Sequence, residues 1–291
     1  MRLSIIVNPV AGGGRALKKI RHYIRHWTHP DWKVELMLTS RSNHAGELAA
    51  GLLDRPPDLL AVCGGDGTFN EVASGLSDPP FPLAILPGGT ANVLARELGI
   101  PLDPVKALLI ALRGKVRQVD LGEFGRESAR KFILFTGIGF DAAAVCRVNP
   151  SLKDRLGMGA YVFAIIKCLH SYPFPEFSVT AGSKRFIATS CLACNARSYG
   201  GGLLFCPDAD MEDGLLDVLV VEGIHRLGLA SLLFHAWLGR AKNPEWVHRF
   251  RAKEIIIEGE RSIPAQIDGE FLGVLPSRIG FAGNRFPLIV P

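Results

Sequence analysis

The chain has 291 residues, 48% of them hydrophobic and 21% charged, with a formal net charge of +5. That composition supports a sizeable core and excludes global disorder. The mild positive charge favours an anionic partner such as a nucleotide or a phospholipid surface, and the lack of a dense Lys/Arg run with interleaved aromatics argues against nucleic acid.

The elements alternate at first. "LSIIV" (3–7) reads as a buried parallel strand, and the following "RALKKIRHYIRHW" repeats Leu17, Ile20, Ile24 and Trp27 at helical spacing. Strands follow at 34–38, 59–63, 83–86 and 116–124, and helices at 44–53, 69–76, 91–98 and 104–113. Such alternation predicts a doubly wound α/β domain over residues 1–120. Beyond it the runs become strand-dense: "KFILFTGIG", "EFSVTAG", "RFIATSCLACNA", "LLDVLVVEG" and "EIIIEG", with turn signals at "AGSK" and "EDG". Helical stretches interrupt only near 152–170 and 226–240. A mainly antiparallel β-rich domain over 121–291 is the expectation, its last strand free to pack back on the first domain. The N-terminal apolar stretch is too short for a signal peptide and no apolar run reaches spanning length, so a cytoplasmic chain, at most peripheral to a membrane, is expected.

The six cysteines sit mostly in apolar runs, Cys63, Cys168 and Cys191 among them, which reads as buried reduced thiols. Cys191 and Cys194 form a CxxC on a strand. Residues three apart there point to opposite faces, so one metal cannot easily take both.

Three loops carry chemistry. In "GGDGTFNE", Gly64, Gly65 and Gly67 should adopt positive φ and let a ligand approach the backbone, and Thr68 with Glu71 forms a capping-box pattern that predicts a helix start. Successive N–H groups and a helix N-terminus suit a phosphate chain. An acid there, Asp66, would repel phosphate unless a cation bridges them or the acid takes a proton. "NPVAGGG" (8–14) and "LPGGTANVLARELG" (86–99) also link a strand to a helix, Thr90 being the expected cap of the latter. All three should gather at the carboxyl edge of one sheet. None is a Walker loop or a dinucleotide fingerprint.

These three motifs in this order resemble the diacylglycerol kinase catalytic-domain family, which includes soluble bacterial lipid kinases and sphingosine and ceramide kinases. "GIGFDA" (137–142), "SYGGGLLFCPDADMEDGLLDV" (198–218) and "AQIDGE" (265–270) extend the resemblance over nearly the whole chain. The resemblance implies a phosphofructokinase-like nucleotide domain, a β-rich domain and an active site in the cleft between them. It implies that Asn8, Thr39, the 64–70 loop with Gly64, Gly65, Gly67, Thr68 and Asn70, and also Glu71 and Thr90, contact ATP, and that Asp66 belongs to a Mg²⁺–ATP centre. It further implies that Glu270 accepts the proton, with Asp268 beside it. Asp213 would hold a structural Mg²⁺ with backbone oxygens near Asp210 and Leu215.

The residues agree in kind. "IDGE" puts two carboxylates at a glycine turn, and "DADMEDG" has the acids for a water-rich Mg²⁺ site without the spacing of a calcium loop. The apolar segments 156–170 and 226–240, the latter flanked by Arg226, Arg240 and Lys242, are either buried helices or lipid-facing ones. The resulting expectation is an ATP- and Mg²⁺-dependent lipid kinase that meets its substrate at the membrane surface. The rivals are an NAD kinase, which shares the GGDGT loop, and a catalytically silent lipid- or nucleotide-binding regulator.

Overall fold

The computed structural model of the chain describes residues 1–76, 78–125, 130–148, 158–200, 203–240, 243–272, 275 and 278–291, with the backbone alone at 158–162 and 282. Lys242, Gly201, Gly202 and the part of the 152–170 segment before Met158 lie outside the described residues. The chain forms two compact units, Met1–Val119 with Asn284–Pro291, and Asp120–Gly283.

The first unit runs β1 (Arg2–Val7), α1 (Arg15–Arg25), β2 (Lys33–Leu38), α2 (His44–Gly51), β3 (Leu59–Gly64), α3 (Asp66–Gly75), β4 (Leu83–Pro87), α4 (Val93–Glu97) and α5 (Pro104–Ala111). The strands pair in parallel in the order β2-β1-β3-β4. The end of the last strand joins them, Leu288 lying parallel beside Leu83. Leu3, Ile5, Ile6, Leu60, Val62 and Leu83 are buried, as strands covered on both faces require. Helices α1 and α5 pack together, as do α2 and α3, which gives the doubly wound arrangement. The second pair is close because position 46 is glycine: a Cβ there would lie 2.6 Å from the Glu71 carbonyl oxygen. Helix α5 carries its own start signal, Asp103 accepting from the Val105 and Lys106 N–H groups ahead of Pro104.

β5 (Lys115–Phe124) leads into the second unit, which contains β6 (Arg130–Phe132), β7 (Phe135–Gly139), α6 (Phe140–Cys146), α7 (Met158–Ser171), β8 (Phe177–Ala181), β9 (Lys184–Ala188), β10 (Ser190–Cys194), β11 (Ser198–Tyr199) and β12 (Leu203–Leu204). It continues with β13 (Leu216–Val221), α8 (Arg226–Trp237), β14 (Val247–Ala252), β15 (Glu254–Glu258), β16 (Ala265–Ile267), β17 (Glu270–Phe271) and the start of β18 (Arg278–Val290). One antiparallel sheet has the order β14-β13-β10-β7-β16-β17. Strands β8, β9, β15 and the start of β18 form the second layer, also antiparallel. Ile138, Val218 and Ile267 from the first layer and Val179, Ile255, Ile257 and Ile279 from the second share one core.

Two strand-like runs are interrupted where the sequence reads as continuous. "KFILFTGIG" breaks at Ile133–Leu134, and "RFIATSCLACNA" breaks at Thr189, whose hydroxyl donates to the Gly223 carbonyl at 2.6 Å. The CxxC lies on β10, and all six cysteines are free, five of them buried. Burial raises the Cys63 thiol to about 12 and pushes Cys191 up as well, so neither is a nucleophile near neutrality.

Candidate active-site residues in the two units

In the first unit the three glycine loops meet backbone to backbone. The Gly88 N–H donates to the Gly64 carbonyl at 2.7 Å. A Cβ on Gly89 would lie 2.6 Å from the Gly65 Cα, and one on Gly12 would strike the Gly88 carbonyl. The glycines of the second loop therefore serve a different need from the expected one. Gly65 has φ −92°, and neither it nor Gly64 or Gly67 takes positive φ. At Gly65 a Cβ would lie 3.3 Å from the Gly89 Cα, and at Gly64 it would strike the Thr68 side chain, 2.5 Å from its hydroxyl. Positive φ belongs to the first loop, where Gly12, Gly13 and Gly14 have φ of 55°, 70° and 75°.

The acids also differ from expectation. Helix α3 begins at Asp66 with Gly65 as its cap, so Thr68 and Glu71 lie inside the helix and form no capping box. The Asp66 carboxylate instead reaches across to α4, accepting from the Val93 and Leu94 N–H groups at 3.0 Å each. Glu71 does the same for α2, accepting from the Ala45 N–H at 3.2 Å. Thus the two acids of "GGDGTFNE" sit at the positive N-termini of two neighbouring helices. The cap of α4 is Asn92, at φ 47°, not Thr90, which is exposed. The Asn92 amide closes a ring with Gly89, accepting from its N–H and donating to its carbonyl, both at 2.9 Å.

Beside these loops lies a cavity of about 370 Å³ lined by Asn8, Val10, Thr39, Arg41, Thr68 and Glu71, among others. Four of the residues expected to contact the nucleotide line it. Asn8 is held by its own surroundings: its Oδ1 accepts from the Val10 N–H and its Nδ2 donates to the Thr68 hydroxyl at 3.2 Å. Arg41 at the rim forms a bidentate pair with Glu47. Asn70 is buried in α3, and its Oδ1 has no hydrogen-bond partner among the described residues.

In the second unit "AQIDGE" is a hairpin, with Ile267 opposite Glu270. Its central residues Asp268 and Gly269 have φ of 46° and 82°, the two positive values that a tight two-residue hairpin requires. The chain reverses there, so Asp268 and Glu270 do not share a face as one strand would place them. Asp268 is a structural anchor in this geometry. Its carboxylate accepts from the Ile133, Leu134 and Phe135 N–H groups at 2.9–3.0 Å, which breaks the 131–139 run into two strands. Glu270 is exposed on β17.

Beneath the hairpin is a polar chain that motif reading passed over. Buried Gln266 accepts from the Gly269 N–H and donates to Asp141, both at 2.8 Å. Tyr199 donates to the other Asp141 oxygen. Loss of water raises the Asp141 carboxyl to about 6, against the lowering effect of Tyr199 and Gln266. Position 137 must be glycine, because a Cβ would meet both Asp141 and Gln266. The signal in the sequence was that Asp141, Tyr199 and Gln266 each fall in one of the three second-domain motifs, although no role was read for them there.

The 208–217 loop is held by Arg251, which donates to the Asp208 carbonyl at 2.6 Å and pairs with Asp217 at 3.3 Å and Asp213 at 3.6 Å. Asp213 also accepts from the Leu215 N–H, and Asp210 from the Glu212 N–H. Buried Asp120 accepts from the Gly214 N–H at 2.8 Å. The donors here are hard oxygens, which suits Mg²⁺ in kind. No group of three or more His, Cys, Asp or Glu side chains arranged for a metal occurs among the described residues, so main-chain oxygens and water would have to supply most ligands.

Residues 2–124 match the diacylglycerol kinase catalytic domain, and residues 135–290 match the YegS C-terminal NAD kinase beta sandwich-like domain. The chain is similar to a diacylglycerol kinase of Mycobacterium tuberculosis, with 31% identity over 100% of this chain and 95% of the relative. It is 27% identical to a diacylglycerol kinase of Bacillus subtilis, over 100% and 96% of the two chains. Solved structures from Bacillus anthracis str. Sterne align with all of this chain. One has a TM-score of 0.81 at 25% identity over 95% of its length; another, of a diacylglycerol kinase, has 0.74 at 23% over 97%.

Proposed function

Because the chain belongs to the diacylglycerol kinase and YegS-like lipid kinase family, we propose that it transfers the γ-phosphoryl group of ATP to a hydroxyl of a membrane lipid of the diacylglycerol or sphingoid type. The observation that carries this reading is the cavity lined by Asn8, Thr39, Thr68 and Glu71 next to three glycine loops in mutual contact. Asn8, Thr39 and Thr68 are the polar groups offered to the nucleotide. Gly64 and Gly65 lead into the α3 N-terminus, whose N–H groups and dipole suit phosphate oxygens.

Mg²⁺, when bound with ATP, neutralises phosphate charge in phosphoryl transfer. Asp66 is the acid that would hold it, since each of its oxygens accepts one N–H and keeps a second lone pair. The same bonds fix that carboxylate and α4 in one position. Glu270 takes the alcohol proton, and its exposed position on β17 leaves it open to a substrate. Asp268 acts at one remove, holding the hairpin that carries Glu270. Asp213, with main-chain oxygens near Asp210 and Leu215, would hold a structural Mg²⁺.

Radiolabelled ATP with a total lipid extract and, in a parallel reaction, with NAD, each resolved by chromatography, tests the proposal. One labelled lipid species is expected. Glu270→Gln should depress kcat at least tenfold with ATP affinity unchanged, because its interaction belongs mainly to the transition state. Label in NAD and in no lipid would overturn the reading.

A further inference from the structure

The ladder of the "AQIDGE" hairpin pairs Gln266 with Phe271 and Ile267 with Glu270. The N–H groups of Asp268 and Gly269 at its tip must find partners elsewhere. The Asp268 N–H donates to the Phe135 carbonyl at 3.0 Å, on the same strand that its carboxylate grips. The Gly269 N–H goes to a side chain, Oε1 of buried Gln266, at 2.8 Å. Glu270 follows Gly269 directly. A glycine at φ 82° constrains the backbone weakly, so the direction in which Glu270 leaves the turn depends on that bond.

Gln266 makes the bond in one orientation of its amide only. Its oxygen must face Gly269, which leaves its NH₂ to face Asp141, where Nε2 donates at 2.8 Å. An ionised carboxylate accepts and cannot donate, so it enforces this orientation. Tyr199 donates to the second Asp141 oxygen. The tyrosine ring lies 4.2 Å from the ring of Phe135, centroid to centroid, and the Phe135 backbone holds Asp268 through both its N–H and its carbonyl. The Thr136 hydroxyl donates to the Gln266 carbonyl at 2.7 Å. Both halves of the tip are thus tied to one framework of α6, β7 and β11.

A neutral group at position 141 loses this control. With an O–H or an NH₂ it can donate toward Gln266, whose amide then turns its oxygen to position 141 and its NH₂ to the Gly269 N–H, donor against donor. The Asp141 carboxyl, raised to about 6 by loss of water, passes between the two states just below neutrality. Around it stand the Tyr199 hydroxyl, the Cys168 thiol of α7, the Cys194 thiol of β10 and, exposed on β17, Glu270. Burial raises the Cys168 thiol, and a hydrogen bond with Cys206 together with burial raises Cys194, so both stay protonated. Arg147, further along α6, donates to the Cys168 sulfur at 2.9 Å.

We propose that Asp141 and Gln266 are positioning residues for phosphoryl transfer: the Asp141 carboxylate orients the Gln266 amide, Gln266 holds the Gly269 N–H, and Glu270 is thereby aimed at the alcohol whose proton it takes. This rests on the reading of the chain as a lipid kinase with Glu270 as the base. A small misplacement of a reacting group is enough to slow the chemical step strongly.

Two readouts test it, one of them independent of activity. Hydrogen–deuterium exchange across 266–272, corrected for the intrinsic pH dependence of amide exchange, reads the tip itself. Protection should fall in Gln266→Ala and in Asp141→Asn, and in wild type it should fall from pH 7.5 to 5.5, a series that needs no variant to fold. In the kinase assay Gln266→Ala should lower kcat about tenfold with the KM for ATP unchanged. Asp141→Asn should do the same at pH 7.5. It should also remove the wild-type decline of about threefold from pH 7.5 to 5.5, as expected for a group near 6 whose neutral form works at roughly a tenth of the rate. Asp141→Asn/Gln266→Ala should be no slower than Gln266→Ala alone, because Asp141 acts through Gln266, whereas two independent structural losses would add. Additive losses would overturn the inference, and so would the same acid limb of kcat in wild type and Asp141→Asn, or unchanged exchange in Gln266→Ala. Glu270→Gln at the wild-type rate would overturn the base assignment beneath it. Exchange at the tip that still responds to Gln266→Ala tells that failure apart from a failure of the chain of bonds.

Discussion

Replacing Asp66 with Asn probes both roles given to that residue. The carboxylate accepts one N–H on each oxygen, from Val93 and Leu94, at 3.0 Å. Asparagine offers a single oxygen and would turn its NH₂ toward the other N–H. One charge-assisted bond is lost and the other becomes neutral, a loss of about 2–3 kcal/mol from bonds of roughly 1.5–3 kcal/mol each. At about 2–4 °C per kcal/mol for domains of this size, the melting temperature should fall by about 5–10 °C. Circular dichroism or calorimetry measures this directly, and a melting temperature within about 1 °C of wild type would refute the anchoring of α4 by Asp66. Activity needs a control. Asn92→Gly keeps the left-handed backbone but loses the ring to Gly89, so it loosens the same helix start without touching the carboxylate. If Asp66 only positions α4, the two variants should lose activity in proportion to their loss of stability. A part in the chemistry predicts a kcat for Asp66→Asn well below that line and under about a tenth of wild type, equivalent to roughly 1.4 kcal/mol of barrier. A higher kcat would remove Asp66 from the reaction.

Gly89→Ala places a Cβ 2.6 Å from the Gly65 Cα and should force the second and third loops apart; ATP affinity by calorimetry should fall at least tenfold, and unchanged affinity would show that loop contact is irrelevant to nucleotide binding. Asp141, with a folded-state carboxyl raised to about 6 from 3.8, binds its proton more tightly folded than unfolded. Its contribution therefore grows as pH falls through 6 and is lost above it: wild type should gain about 1 kcal/mol over Asp141→Asn between pH 7 and 5 in urea titrations, and parallel curves would contradict the buried acid. Asp213→Ala should abolish any rise of melting temperature with Mg²⁺ if that loop holds the ion; a Mg²⁺-dependent shift preserved in the mutant would place the stabilising ion elsewhere.

Periodicity alone was enough for the class of fold. Apolar runs such as 3–7 and 59–63, five residues long and bounded by turn signals, fit strands covered on both faces, and the spacing in "RALKKIRHYIRHW" fits a helix that buries Ile20. Strand–loop–helix order then sends the three glycine loops to one sheet edge, since every parallel strand presents its carboxyl end there. Motif order was sufficient for the family. What individual residues do inside those motifs was decided by tertiary structure, because their partners lie far along the chain. Asp66 meets amides 27 and 28 residues away, and Asp268 meets amides 133 to 135 residues away. No local pattern carries that information, so a capping box was read at Thr68 and Glu71 where Glu71 serves another helix. The glycines show the same limit. Sequence marks where a side chain is excluded, but only packing tells whether positive φ, as at Gly12–Gly14, or a neighbouring backbone, as at Gly65 and Gly89, excludes it. Helix α8 is apolar around most of its circumference in sequence; which side is left to solvent was decided by β12, α7 and Trp246, which pack against the other.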